Sequence, residues 1–243
     1  MRETIKNNRI TALVYRCVAI ILCLFGLLDG TGLFLGSPSG GSLLYYTNQS
    51  NILVLIVFVM LLIATLREIK KSGTKGPSSF FERTTGIVML AISVTMLIFW
   101  FVLAPTFVAS GNTQYLLTFQ NFQLHLITPL LIIGDYFIFE TPGKLKKVDP
   151  YIFAAIPLLY FVQATIIGLS GYVYRVDPNG AIEHFPYYFL DYYKLGWKVG
   201  LYVVLVSIFF IGLAYGLLLL DKKRVKAVIK KMEKSESNET ADS

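Results

Sequence analysis

Six long apolar stretches constrain this chain more than any other feature of its sequence. They lie at about residues 10–34, 44–66, 86–107, 115–139, 151–172 and 197–220. A helix of ~20 apolar residues crosses a hydrocarbon core of ~30 Å, and each stretch has about that length. Continuous apolar runs, without ten-residue alternation, favour helices over a β-barrel. We therefore predict an all-α fold, a polytopic membrane helical bundle with six transmembrane helices.

Composition agrees with this class, because 55% of the 243 residues are hydrophobic and only 15% are charged. The mean hydropathy of +0.61 lies above the range of ordinary soluble domains. The first apolar stretch has no small-residue cleavage site, so we expect it to remain as the first span.

The positions of Lys and Arg predict the orientation of the bundle. Of the 22 basic residues, 18 fall on one side of the predicted membrane: before the first span, in the second and fourth connections, and in the tail. The other side holds Arg175, Lys194 and Lys198, and Arg16 lies inside the first span. Cytoplasmic loops carry an excess of Lys and Arg, so we predict that both termini are cytoplasmic.

Two units follow from this reading. Residues 1–221 form the six-helix transmembrane domain, and residues 222–243 form a basic juxtamembrane tail that ends in a disordered segment. Topology and attraction to anionic lipid explain the net charge of +7, so nucleic acid is not expected as a partner. Short loops suit a multi-pass protein of a bacterial plasma membrane. The sequence leaves the oligomeric state open.

Polar side chains at membrane depth are the most informative feature for function, because lipid forces them toward the bundle interior. Thr47, Ser50 and Asn51 in the second stretch are spaced i, i+3, i+4 and share one helix face. Asn121 and His125 share a face of the fourth stretch by the same rule. Ten residues at ~1.5 Å each place His125 about 15 Å below the start of its span. We expect a pocket formed by Asp29, Thr47, Asn51, Asn121, His125 and Asp191.

Structural roles are the alternative for each polar residue. Ser and Thr in membrane helices often bond to their own carbonyls, and Asn or Gln often join helices. We interpret Arg16 as a structural residue that snorkels or pairs, and Asp135 as a solvated helix terminus. The aromatic segment FPYYFLD is expected to pack over the bundle mouth, with Asp191 reaching a polar partner below it.

Three motifs resemble those of the prokaryotic six-transmembrane family. They are YYTNQSN at the start of the second stretch, NFQLHLITPLLIIGDY in the fourth, and HFPYYFLDYYKLGW before the sixth. The family motifs are F/Y-T-x-x-S-N, N-x-x-x-H and Y-P-Y-x-F-L-D. That family is similar to the androgen-induced and androgen-dependent intramembrane threonine hydrolases, which act on fatty-acid esters of hydroxy fatty acids. The resemblance implies that Thr47 is the nucleophile and that His125 is the essential histidine.

Physical chemistry makes this hydrolase hypothesis coherent. A hydroxyl becomes a nucleophile when a base removes its proton, and a neutral histidine within hydrogen-bond reach is a suitable base. Thr47 would attack an ester carbonyl, with membrane lipids as the surroundings and a lipid ester as the substrate. The supporting roles predicted are oxyanion donation by Asn51 or Asn121, orientation of the imidazole by Asp29 or Asp191, and a competing hydroxyl at Ser50.

Two other functions remain open from the sequence. A transporter or a proton or solute relay could be centred on His125, although no inverted repeat is visible. A non-catalytic lipid-binding membrane protein could use the same polar network to join its helices. Neither metal-ligand spacing nor a glycine-rich phosphate loop is visible, so no metal or other cofactor is expected.

Overall fold

The computed structural model describes residues 7–36, 39–111, 113–176 and 180–241. The helices are α1 Arg9–Gly30, α2 Tyr46–Ser72, α3 Glu82–Ala109, α4 at residues 119–138, α5 Asp149–Leu169, α6 Tyr192–Leu195 and α7 Lys198–Ala241. Short 3-10 turns occupy Leu33–Leu35, Gly40–Leu44, Thr113–Tyr115 and Tyr188–Leu190. Strands β1 Arg175–Val176 and β2 Ile182–Glu183 pair antiparallel, with Arg175 opposite Glu183.

Five of these helices, α1, α2, α3, α5 and α7, are long and apolar enough to cross a membrane. The molecule is therefore a mostly helical bundle, consistent with an all-α membrane protein. The fourth predicted span corresponds to α4, whose N-terminal half carries Gln120, Gln123 and His125. These polar side chains make α4 the least apolar of the six segments.

Two helices contain π-helical turns, at Phe99–Leu103 in α3 and at Gln123–Ile127 in α4. In each helix a proline follows the turn closely, as Pro105 and Pro129. Proline has no backbone N–H, so an α-helical hydrogen bond to the carbonyl four residues earlier cannot form. The two prolines therefore offer a local reason for the change from α-helical to π-helical bonding.

Small residues on α1 allow close packing against α2 and α4. Ala12, Ala19 and Cys23 are fully buried, and a Cβ added at Gly26 would clash with the side chain of Gln123. Close approach of this kind is typical of packed membrane helices, where small residues let backbones come together.

Where α1 begins and α2 ends, a buried ion pair joins several helices. The Arg16 guanidinium donates to both carboxylate oxygens of Asp135, at 2.9 Å and 3.1 Å, and both side chains are fully buried. The same guanidinium donates to Thr65 Oγ1 of α2 at 2.6 Å and to the Ser78 carbonyl at 2.9 Å. Asp135 is therefore not a solvated terminus as predicted, because the fold places a buried cation beside it.

The C-terminal tail also differs from its prediction. Helix α7 continues without a break through the basic segment to Ala241, where a disordered end was expected; residues 242–243 lie outside the described residues. After Gly216 the chain has neither Gly nor Pro, and Lys is its most frequent residue. These residues favour helix, so α7 continues beyond its apolar part.

Candidate active site

Thr47 and His125 meet inside the bundle although 78 residues separate them in the sequence. Thr47 is the second residue of α2, and His125 lies in the π-helical turn of α4. Thr47 Oγ1 is 3.3 Å from His125 Nε2. The predicted approach of these two side chains is confirmed, since both polar stripes face the interior.

The second ring nitrogen of His125 determines what the first can do. Its Nδ1 lies 3.1 Å from the backbone carbonyl oxygen of Asn121. A carbonyl oxygen only accepts, so Nδ1 carries a hydrogen, and Nε2 of the neutral ring is then free to accept from the Thr47 hydroxyl. This tautomer is the one that a general base for Thr47 requires.

Aromatic residues from the π-helical turn of α3 hold the imidazole in place. The Phe99 ring stacks on the His125 ring, with centroids 3.8 Å apart and planes 19° from parallel. The Trp100 indole Nε1 donates to the His125 carbonyl at 3.1 Å. That carbonyl lies four residues before Pro129 and lacks its α-helical donor, so the indole supplies one. The π-helical turn of α3 thus contacts both the ring and the backbone of His125, which lies in the π-helical turn of α4.

Ser50 and Asn51 do not have the roles predicted from the sequence. Asn51 is fully buried, and its amide nitrogen donates to the Thr47 carbonyl at 2.7 Å and to the Leu124 carbonyl at 3.2 Å. Both amide hydrogens are used, so no donor remains for an oxyanion. The Ser50 hydroxyl donates to the Thr47 carbonyl at 3.0 Å and lies 2.7 Å from Thr95 Oγ1. Ser50 therefore does not compete with Thr47 for the imidazole.

Neither predicted aspartate orients His125, because both ring nitrogens are already engaged by Asn121 and Thr47. Asp29 is half-buried at the end of α1. Asp191 is the N-cap of α6, where its carboxylate accepts from the backbone N–H groups of Tyr193 and Lys194 at 3.0 Å and 3.1 Å. A free N–H pair at a helix start is a strong partner for a carboxylate, so Asp191 caps α6 and is not a tether into the bundle.

Asn121 contributes to the site through its backbone. Its carbonyl holds His125 Nδ1, and its own N–H donates to Thr118 Oγ1 at 3.2 Å, which caps the start of α4. The predicted residue is therefore at the site, with its carbonyl as the group that sets the tautomer of His125.

Two tyrosines that sequence reasoning missed also lie at Thr47. Tyr187 lines the same cleft as Thr47; burial raises the pKa of its phenol, and Thr47 nearby acts in the opposite direction. The Tyr160 hydroxyl is buried near Tyr187 and completes no hydrogen bond of its own with the described residues. Tyr187 belongs to the segment FPYYFLD, which packs against the site as predicted. The aromatic motif was the available signal for it.

An apolar cleft extends from Thr47 between α3, α5 and α7, with residues 187–190 as its cover. Its cavity volume is about 80 Å³, and part of the cleft is open to the outside. Its walls include Val94, Ile98, Phe161, Val206 and Phe210. We call this space the apolar cleft.

No protein-family model, curated protein or solved structure matches this chain. Within the described residues, no group of three or more His, Cys, Asp or Glu side chains could hold a metal ion. The chemistry of the site therefore has to be inferred from Thr47, His125 and the groups around them.

Proposed function

We propose that this protein is an intramembrane hydrolase of lipid esters, with Thr47 as the nucleophile and His125 as the general base. The contact between Thr47 Oγ1 and His125 Nε2 at 3.3 Å, with Nδ1 held by a carbonyl, carries the proposal. The motif resemblance to the prokaryotic six-transmembrane family supports it, as does the apolar cleft that begins at Thr47. Fatty-acid esters of hydroxy fatty acids are the first substrates to test.

The reaction has two steps. Thr47 Oγ attacks the ester carbonyl carbon while its proton moves to His125 Nε2; the tetrahedral intermediate then expels the alcohol, which takes that proton and leaves an acyl-Thr47. A water molecule next attacks the acyl group with His125 again as the base, which releases the acid and restores the Thr47 hydroxyl. The Asn121 carbonyl accepts from Nδ1 throughout, so it also stabilises the imidazolium.

The oxyanion that forms in each step needs donors already in place, and the start of α2 offers them. Its N-cap residue, Tyr45, makes no side-chain capping bond, so the N–H groups of the first turn have no intrahelical acceptor. The Thr47 N–H lies in this turn, and Tyr187 lines the cleft beside Thr47. We assign the oxyanion site to this N–H and the Tyr187 hydroxyl, in place of Asn51.

The proposed setting is a bacterial plasma membrane. Six helices cross it, namely the five long apolar helices and α4, and both termini lie in the cytoplasm. The charge distribution of 18 basic residues against three supports this orientation. Thr47 would then lie near the outer surface, where water reaches it, while the ester enters from lipid.

The decisive experiment compares variants of the purified protein on a panel of lipid esters. Thr47→Ala and His125→Ala should each reduce hydrolysis to background, and the double variant should be no worse, because residues that act as one unit are not additive. A fluorophosphonate probe should label Thr47 in the wild-type protein only.

Matched controls exist for both positions. Thr106→Ala and His184→Ala change the same residue types outside the site and should keep full activity, since Thr106 is exposed and bonds to its own helix and His184 bonds to Tyr172 in a loop. Hydrolysis that survives in Thr47→Ala would contradict the proposal. Proton-dependent flux into liposomes without probe labelling would instead favour a relay centred on His125.

A further inference from the structure

We infer that the deep part of the apolar cleft binds the acyl chain of the ester and holds a linear chain of about eight carbons. This inference rests on the proposed function for the cleavage of the ester bond. Binding of an acyl chain in the cleft can be tested without turnover. The chain would lie between α3, α5 and α7 with its carbonyl at Thr47.

The walls of the cleft offer nothing to a polar ligand below Thr47. Ser207 is one of the few polar side chains there, and its hydroxyl donates to the Val203 carbonyl at 2.7 Å. Thr95 is engaged with Ser50 at 2.7 Å. Water in such a space would lack partners, whereas each CH₂ group buried there favours binding.

The polar groups lie together at one end of the cleft. Thr47, Tyr187 and Tyr160 lie at this end. Tyr160 is only 7% exposed, and its hydroxyl completes no hydrogen bond of its own with the described residues. A buried hydroxyl without a partner is destabilising, and an ester oxygen would satisfy it. The polar head of the ligand therefore belongs at Thr47, and the chain runs away from it.

The length of the deep part follows from helix α5. The Tyr160 ring packs against the Tyr46 ring beside Thr47, with centroids 5.2 Å apart, so Tyr160 marks the level of the nucleophile. From there to Ala154 the helix advances six residues, or about 9 Å at ~1.5 Å each. An extended chain covers ~1.2 Å per bond, since three backbone bonds span 3.3–3.6 Å, so about seven bonds fit. Ala154 and Phe210, which are 5% and 1% exposed, close the deep end.

The cleft also has an open side at the surface of the bundle. Leu158 of α5 and Tyr202 of α7 line it and are nevertheless 38% and 39% exposed. In the proposed membrane setting this side faces lipid, so an ester can enter sideways without crossing water. The shallow part near Tyr202 is then left for the alcohol that departs.

A chain-length series tests the inference. We expect kcat/KM for esters of linear acids to rise up to about eight carbons and then stop rising, because additional CH₂ groups find no wall to contact. Ala154→Leu, which fills the deep end, should move the optimum about two to four carbons shorter, and Phe210→Ala should move it longer. Ala155→Leu and Phe209→Ala are the matched controls one residue away on exposed faces, and they should leave the optimum unchanged.

A binding experiment separates failure of this inference from failure of the proposed function. An octanoyl ester with a diazirine at the chain end, photolysed with the Thr47→Ala protein in vesicles, should label α5 or α7 near Ala154 and Phe210. Labelling there without hydrolysis by the wild type would remove the hydrolase function and keep the acyl site. Hydrolysis with no chain-length optimum, no effect of Ala154→Leu and labelling elsewhere would overturn the acyl site. The photolabelling experiment keeps Ala154 and Phe210 unchanged. It can therefore be carried out even if the Phe210→Ala protein fails to fold.

Discussion

The Thr47 hydroxyl differs from its polar neighbours in where its hydrogen bond goes. Ser50 and Asn51 are on the same face of α2, and both donate to the Thr47 carbonyl. These bonds tie the first turn of the helix together and leave Thr47 as the one hydroxyl of the stripe that contacts His125. At the scale of the residue, the proposal of Thr47 as the nucleophile rests on which donors are already used.

Trp100 is a positioning residue whose removal should slow turnover without weakening substrate binding. Trp100→Phe deletes the bond from the indole to the His125 carbonyl and keeps an aromatic ring beside Phe122. A hydrogen bond contributes about 1 kcal/mol, so kcat should fall by about five- to tenfold while KM stays within about twofold. Steady-state kinetics on one lipid ester measure both constants.

Trp197 provides the control for this prediction, because it is the other tryptophan of the chain and is 78% exposed. Trp197→Phe should leave both constants unchanged. A Trp100→Phe variant with normal kcat and a raised KM would show that the indole contacts the substrate rather than the backbone of His125.

At the scale of the element, α3 and α4 contact each other at the site through their two π-helical turns. Phe99 and His125 lie in these turns and stack on each other, and each turn is followed by a proline two residues beyond its end. An uninterrupted α-helix would give the His125 carbonyl a donor within α4, whereas here the Trp100 indole donates to it. The break in regular bonding is therefore what couples the two helices at the imidazole.

The buried pair of Arg16 and Asp135 should be the most sensitive packing element of the bundle. Asp135→Ala leaves the Arg16 guanidinium buried without its carboxylate, so we expect a loss of about 3–5 kcal/mol in the free energy of unfolding. Asp135→Asn keeps one acceptor and should lose less. Thermal or denaturant unfolding in detergent measures the difference.

The exposed pair of Arg175 and Glu183 is the comparison, with N···O at 2.6 Å and side chains that are 58% and 24% exposed. Glu183→Ala should change the unfolding free energy by less than about 1 kcal/mol, because water screens such pairs. Equal stability of Asp135→Ala and the wild type would show that Arg16 finds other acceptors, among them Thr65 and the Ser78 carbonyl.

At the scale of the whole molecule, the two ends of the bundle have different chemistry. One end carries Arg9, bound to the carbonyls of Ser72, Gly73 and Lys75, and the buried carboxyl of Glu140. Burial raises the pKa of Glu140 to about 7. The other end carries the aromatic segment 185–191, part of which lines the cleft beside Thr47. In the proposed orientation the end with segment 185–191 faces outward, and the proposed ester site would face outward with it.

Cysteine accessibility tests that orientation. In a Cys17→Ser, Cys23→Ala background, Ser39→Cys and Ser170→Cys at the site end should react with an impermeant thiol reagent added to intact cells. Ser72→Cys at the opposite end should react only after the cells are opened. The three changes are chemically identical, so each is a control for the others, and the reverse pattern would place the site on the cytoplasmic face.

The sequence by itself determined the helical class and the meeting of Thr47 with His125. Apolar length and the spacing of polar residues are local properties, and lipid turns polar stripes inward. The motif resemblance then singled out Thr47 and His125 within the two stripes. The predicted roles of Ser50, Asn51 and Asp191 were wrong because each side chain bonds to the backbone of its own helix. The spacing of polar residues on a helix face does not distinguish such bonds from bonds to a ligand. Only the tertiary structure paired Asp135 with Arg16, set the tautomer of His125 through the Asn121 carbonyl, and brought Tyr187 to Thr47. A hydrogen-bonding group satisfies whichever partner the packing brings within reach, and packing is a property of the whole chain.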